Sequence, residues 1–283
     1  MAKSLSPLRY PGGKSKIYKK VRNLIVANGY EDRTYVEPFA GGFGIGISLL
    51  YEGVVNTAIL NDYDSHIYHF WYSVLNDTEN LLRLISDTPI TIEEREKQKQ
   101  NYQDTDSGSL IDGFATLFLN RVNFSGVIKG GPIGGFAQAG KYKIDCRFNK
   151  ANIIRKIETI AKYKGKIKLY NKDAEYLIKM SLMKMKVPMF LNIDPPYVIK
   201  GSQLYTNFFT ERDHINLQRV ISKYLGEKFP WIITYDDCFL IRALYECFYI
   251  EEYGIMHNAG GSVQGKEIVI SNIPTDKFVW NDN

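Results

Sequence analysis

Short strand-like runs alternate with helical stretches at both ends of this chain, and the alternation stops in the middle. Near the start, residues 15–28 read as a helix, 34–37 as a strand ending at Pro38, and 45–52 as a helix closed by Gly53. Residues 57–60 read as a strand, and Ser65 is the predicted cap of a helix through residue 74. From about residue 76 the pattern is helical only, clearest over 93–103 and 110–121, before a glycine-rich irregular stretch over 123–140. Another helix follows Asn149, and strand-like runs return at 167–170, 189–193, 231–234 and 268–270. Strands interleaved with helices predict an α/β fold whose mostly parallel sheet is covered on both faces. Residues 1–75 and 150–283 are expected to build one discontinuous domain, with 76–149 inserted as a mainly helical second domain.

Bulk properties narrow the class. No apolar run approaches the ~18 residues of a membrane span, and residues 1–10 lack the apolar stretch of a signal peptide, so a soluble cytoplasmic protein is expected. Cys146, Cys238 and Cys247 form no Cys-x-x-Cys pair, which indicates neither a disulfide framework nor a zinc ribbon. Core packing is expected for all three, and core or packing roles for Met180, Met183, Met185 and Met189. The net charge is +5. Residues 141–168 alone hold ten Lys and Arg against Asp145 and Glu158, a surplus of +8. Such a run serves either as a solvated helix face or as a phosphate-binding edge.

Four short segments sit at or beside predicted strand ends, the edge where open α/β sheets bind ligands. They are Arg9-Tyr-Pro-Gly-Gly-Lys14, Glu37-Pro-Phe-Ala-Gly-Gly42, Asn61-Asp62 and Asp194-Pro-Pro-Tyr197. The first is no nucleotide P-loop, because Leu8 stands where the leading glycine is needed. The glycine-dense turn after residue 40 departs from a dinucleotide fingerprint at Ile47, yet it lets a ligand approach the backbone closely. Asp62, about 20 residues further on, is placed to accept ribose hydroxyls, since Asp64 and Ser65 are available to cap the following helix.

Asp194-Pro195-Pro196-Tyr197 is the most informative segment. Two prolines fix φ and donate no N–H, which leaves a rigid row of acceptors beside an aromatic ring. That combination suits a planar base bearing an exocyclic amine. Asp236 and Asp237, after the 231–234 strand, lie at the same sheet edge or cap the next helix. Tyr205 and Phe208 follow the proline turn in a loop placed to close over the base. A metal site at Asp64, His66 and His69 is disfavoured, because the two histidines lie in an aromatic-rich helix.

In their order along the chain, these segments resemble the Dam-type (D12 class) DNA adenine N6-methyltransferases, over essentially the whole length. The resemblance implies a Rossmann-like methyltransferase fold binding S-adenosylmethionine, no metal, and an inserted target-recognition domain. It assigns Tyr10, Lys14, Glu37, Phe39, Ala40, Gly41, Asp62 and Asp194 to the cofactor, and Asp194, Pro195, Pro196 and Tyr197 to catalysis on a base flipped from double-stranded DNA. The insertion segment Asn120-Arg121-Val-Asn-Phe-Ser-Gly126 also resembles the family's recognition segment. Arg121, Asn123, Ser125, Lys129, Gln138, Lys141 and Lys143 are the candidate DNA contacts. The arginine- and asparagine-rich hairpin of GATC-reading members is replaced here by a glycine-rich one, so GATC is not carried over. Cytosine C5 chemistry is set aside, because no cysteine follows a proline. N4-cytosine methylation and a non-catalytic DNA-binding homologue remain the alternatives. The recognition sequence, a companion restriction endonuclease and the oligomeric state are left open.

Overall fold

The computed structural model describes residues 5–9, 17–104, 106–199, 209–257, 263–278 and 280. Two compact units divide the chain: residues 14–63 with 172–283, and residues 1–13 with 64–171. In chain order the elements begin with α1 (Tyr18–Ala27), β1 (Thr34–Glu37), α2 (Gly44–Tyr51) and β2 (Ala58–Asn61). Next come α3 (Ser65–Asn76), α4 (Thr78–Asp87), α5 (Ile92–Gln103), α6 (Gly108–Val122), α7 (Lys150–Ala161) and β3 (Ile167–Tyr170). The remainder holds β4 (Met189–Ile193), α8 (Glu211–Val220), β5 (Trp231–Asp236), α9 (Phe239–Leu244), β6 (Tyr249–His257) and β7 (Val263–Ser271).

The seven-stranded sheet has the order β3-β2-β1-β4-β5-β7-β6. β1 pairs in parallel with β2 and β4, and β4 in parallel with β5, whereas β7 runs antiparallel to β5 and β6. The order reverses between β1 and β4, the switch point of a Rossmann-like sheet and the place where its ligands bind. All five residues of β4 are buried, as are all four of β2. Strands covered on both faces carry unbroken apolar runs, which is why the sequence located them.

The antiparallel edge was less visible. Sequence reading found residues 268–270 of β7 and none of β6. The outer part of β7 reads Val-Gln-Gly-Lys-Glu, without apolar alternation. Pairing with β5, from Ile232↔Ser271 to Asp236↔Glu267, holds the inner half extended. Residues of α2 are apolar all round, and Ile45, Ile47, Leu49 and Leu50 are buried. The Phe43 ring lies against Gly46, where an added Cβ would stand 2.3 Å from ring carbons, so only glycine fits.

In the other unit α6 is the central helix, buried at every residue from Asp112 to Val122. Asp64, rather than Ser65, is the N-cap of α3, accepting from the His66 backbone at 2.9 Å. His66 and His69 each place Nδ1 2.6 Å from a different oxygen of Asp112, which ties α3 to α6.

Two packing expectations are corrected. Cys146 and Cys247 are exposed and Cys238 is half-buried, because each lies in a short helix end or loop outside the apolar stripes. Of the four methionines only Met189, inside β4, is fully buried, while Met180 is 44% exposed on an irregular helical turn. Among the described residues no helix is long and apolar enough to cross a membrane.

Asn61, fully buried at the end of β2, secures the sheet edge. Its Nδ2 donates to the Pro38 carbonyl at 2.8 Å and the Lys172 carbonyl at 2.9 Å, and its Oδ1 accepts from the Lys172 backbone at 3.1 Å. Asn61→Ala is expected to cost about 2–4 kcal/mol, since it strands buried backbone groups without partners. A lowered urea midpoint with an unchanged slope is the measurement that checks it.

Candidate active site

Three features converge at the carboxyl edge of β1, β2 and β4 in the first unit. Glu37 ends β1 and is buried, accepting the Tyr35 phenol at 2.8 Å and the Gly46 backbone at 3.2 Å on one oxygen. Tyr35 in turn accepts from Asn192 Nδ2 at 2.8 Å, so a chain of hydrogen bonds links β4 to β1. Burial pushes the Glu37 carboxyl up to about 8; the Tyr35 and Gly46 bonds oppose that rise and the Asp194 charge adds to it. Ala40 is anchored by its N–H to the Asn61 carbonyl at 2.9 Å, and the half-buried Phe39 meets Phe209 edge-on at 5.8 Å. Asp62 accepts the Gly41 N–H at 2.8 Å, so the acid after β2 holds the glycine turn after β1.

The proline turn follows β4. Asp194 is half-buried, and its Oδ1 accepts the Thr234 hydroxyl at 2.8 Å. Pro195 is buried and Pro196 half-buried. Tyr197 is only 6% exposed, and its phenol donates to Glu267 at 2.9 Å. Burial, with Asp194 nearby, raises that phenol well above its ordinary range, so it stays a neutral donor. Asp236 takes up the next two backbone donors, Val198 N–H at 3.1 Å and Ile199 N–H at 2.6 Å. Of the two readings for the acid pair, Asp236 therefore serves the sheet edge. Asp237 instead pairs with Arg242 at 2.6 and 3.0 Å.

In the second unit the segment expected to contact DNA is built around α6. Asn120 exchanges hydrogen bonds with the Arg9 backbone at 2.7 and 2.9 Å and donates to the Gly126 carbonyl at 3.0 Å. A Cβ on Gly126 would stand 2.4 Å from the Arg9 carbonyl, so this latch requires glycine. Arg121, 9% exposed, has a buried Nε with no hydrogen-bond partner. Burial, then Arg9 and Arg147, lower its guanidinium to about 10. Arg9 is lowered by burial and by Arg147. Three guanidinium groups thus share one locality, and none forms an ion pair with a described residue.

Asn123 and Gln138 spend their side chains on the loop itself. Asn123, fully buried, accepts Arg95 Nε at 2.7 Å and donates to the Val127 and Ile128 carbonyls at 3.2 and 2.7 Å. Gln138 donates to the Ile133 and Gly135 carbonyls at 2.8 and 2.6 Å and accepts from Ile144 N–H at 2.8 Å. Ser125 is half-buried, at φ 55°. Lys129, Lys141 and Lys143 are exposed, and Lys143 also reaches the Gln138 carbonyl. Tyr10, Lys14, Tyr205 and Phe208 lie outside the described residues.

A family model for the D12 class N6 adenine-specific DNA methyltransferases matches residues 10–258. The chain belongs to that family. Among curated relatives, this D12 class methyltransferase is 25% identical to type II methyltransferase M1.LlaDCHI of Lactococcus lactis subsp. cremoris, over 93% of this chain and 94% of the relative. It is 24% identical to type II methyltransferase M.MjaIII of Methanocaldococcus jannaschii, over 87% and 89% of the two chains. It is 25% identical to the retron Ec67 DNA adenine methylase of Escherichia coli, over 93% and 89%. The enzyme is a site-specific adenine DNA methyltransferase.

Sequence reasoning missed Thr234, Glu267 and Arg95. Glu267 had a usable signal, an acid opening the apolar run Ile268-Val-Ile270. Arg95 had none, because it stands in a helix crowded with Glu, Lys and Gln.

The Glu37 shift sets a pH dependence. The folded methyltransferase keeps Glu37 protonated up to about pH 8, whereas the unfolded chain releases that proton near 4.5, so this group's contribution to stability is lost as pH rises between those values. Glu37→Gln cannot ionise and removes that slope. Urea midpoints at pH 5 and pH 9 are expected to differ less for the variant than for the wild type.

Proposed function

We propose that the enzyme transfers a methyl group from S-adenosylmethionine to the N6 amine of an adenine turned out of double-stranded DNA. The observation that carries this reading is the Asp194 carboxylate, half-buried at the switch point, held by Thr234 and followed by two residues with no N–H. Turning the base out costs a few kcal/mol of stacking and pairing. Asp194 and the Pro195 carbonyl accept hydrogen bonds from the two N6 hydrogens and so raise the lone-pair density on that nitrogen, which releases one proton once it carries the methyl. Pro195 and Pro196 hold the acceptors rigid, and the Tyr197 ring stacks on the purine. When bound, S-adenosylmethionine supplies an electrophilic methyl group on a sulfonium centre. The protein's contribution is alignment and electrostatics.

The residues present fit that cofactor. Glu37 is a buried carboxyl with no cationic partner among the described residues, and a positively charged amino-acid group placed beside it would favour its ionised form. Phe39, Ala40 and Gly41 form the floor, and Asp62 serves the ribose. No metal is assigned a role.

Residues 76–149 are assigned to target recognition. Arg121, with Arg9 and Arg147 beside it, supplies unneutralised charge for DNA phosphates. Ser125, Lys129, Lys141 and Lys143 extend that surface, and Asn123 and Gln138 act by fixing the loop. The setting is the cytoplasm.

Two variants test this. Asp194→Ala is expected to abolish transfer of labelled methyl groups to adenine in duplex DNA, and near-normal turnover refutes the assignment. Duplexes whose only methylatable amines are on cytosine separate the N4-cytosine alternative. Arg121→Met is expected to weaken DNA binding about tenfold and flatten its salt dependence. It should at the same time raise the melting temperature, because an unpaired buried charge is removed.

A further inference from the structure

Strands β5, β6 and β7 carry three side chains abreast. Asp236, Glu267 and Tyr253 are direct cross-strand partners, so they share one face of the sheet. Two of them carry carboxyl groups, both nearly fully buried at 3% and 2% exposure. Placing two acids side by side in the interior is costly unless donors surround them. The donors come largely from the proline turn. Asp236 accepts the Val198 and Ile199 backbone N–H groups, and Glu267 Oε2 accepts the Tyr197 phenol at 2.9 Å and the Tyr253 phenol at 3.0 Å.

Glu267 thus reaches across from the antiparallel edge to the far end of the Tyr197 ring. A phenol tethered at its tip cannot swing about χ1 or tilt without breaking a hydrogen bond to a buried acceptor. Backbone anchoring by Asp236, one and two residues downstream, removes the remaining freedom of the turn. We propose that Glu267 is a positioning residue for methyl transfer, fixing the plane of the Tyr197 ring so that the adenine stacks in the orientation the reaction requires. The proposal rests on the reading of Tyr197 as the stacking residue given above. Misplacement of a reacting group by about 1 Å costs on the order of 10²-fold in rate, so a tether at this point controls turnover without touching the substrate.

The test uses the full-length enzyme, duplex DNA and a duplex with 2-aminopurine at the target adenine. Glu267→Ala is expected to lower kcat roughly 10- to 100-fold, with cofactor affinity by calorimetry within about twofold of wild type. The flipped 2-aminopurine should fluoresce more brightly in the variant, because a loosened ring quenches it less. Glu267→Gln keeps an acceptor oxygen and should recover kcat to within about threefold. Tyr197→Phe keeps the ring but loses the tether, and should fall about tenfold in kcat. The double variant should be no slower than Glu267→Ala alone, since both changes break one interaction. Losses that multiply in the double variant overturn the proposal, as does a Tyr197→Phe enzyme with wild-type kcat. The Tyr197→Phe arm decides the matter even where Glu267→Ala does not fold. A wild-type enzyme that methylates adenine while Glu267→Ala matches it refutes the tether alone, whereas a wild type inactive on adenine refutes the functional reading beneath it.

Discussion

The turn that follows β4 cannot hold itself together. Two successive prolines remove the backbone donors that an ordinary turn would use, so its shape depends on fixed φ angles and on groups reaching in from β5. Thr234 and Asp236 lie two residues apart on that strand and therefore on the same face, one bonded to Asp194 and the other to Val198 and Ile199. The parallel register Ile193↔Ile233 puts them at the right height. A slip of one residue in β5 would turn both side chains to the opposite face and leave the turn without its anchors.

Acids are correspondingly concentrated at one place in the first unit. Glu37, Asp236 and Glu267 are all buried near the sheet edge, and each is surrounded by hydrogen-bond donors from tyrosine phenols or backbone N–H groups. The second unit carries guanidinium groups at Arg9, Arg121 and Arg147 that form no ion pair with a described residue. An edge rich in carboxyl groups suits a cationic methyl donor, and a locality rich in unneutralised guanidinium suits a polyanion.

How far the residues disclosed this in advance follows from what each signal measures. Apolar runs located β1, β2 and β4, because those strands are covered on both faces. The prolines and glycines located the two turns, because backbone restriction is written directly in residue type. The same signals were silent about β6 and the outer half of β7, where pairing rather than composition sets the conformation. Side chains that act by reaching across the fold were also hidden: nothing local marks Thr234 as the partner of Asp194, or Arg95 as the support of a loop some thirty residues away. Asn123 and Gln138 illustrate the converse. Their residue types suit base edges, yet neighbouring carbonyls claim their amides.

Arg95 has a wider implication. From α5 it grips the Asn123 side chain and the Gly130 carbonyl, and its guanidinium lies 5.6 Å from the centre of the Phe136 ring. The loop is therefore held by main-chain oxygens and by two side chains, while the Lys129 and Ala137 side chains stand exposed. A scaffold secured from beneath in this way tolerates exchange of its outward residues, because the backbone path of the loop does not depend on them.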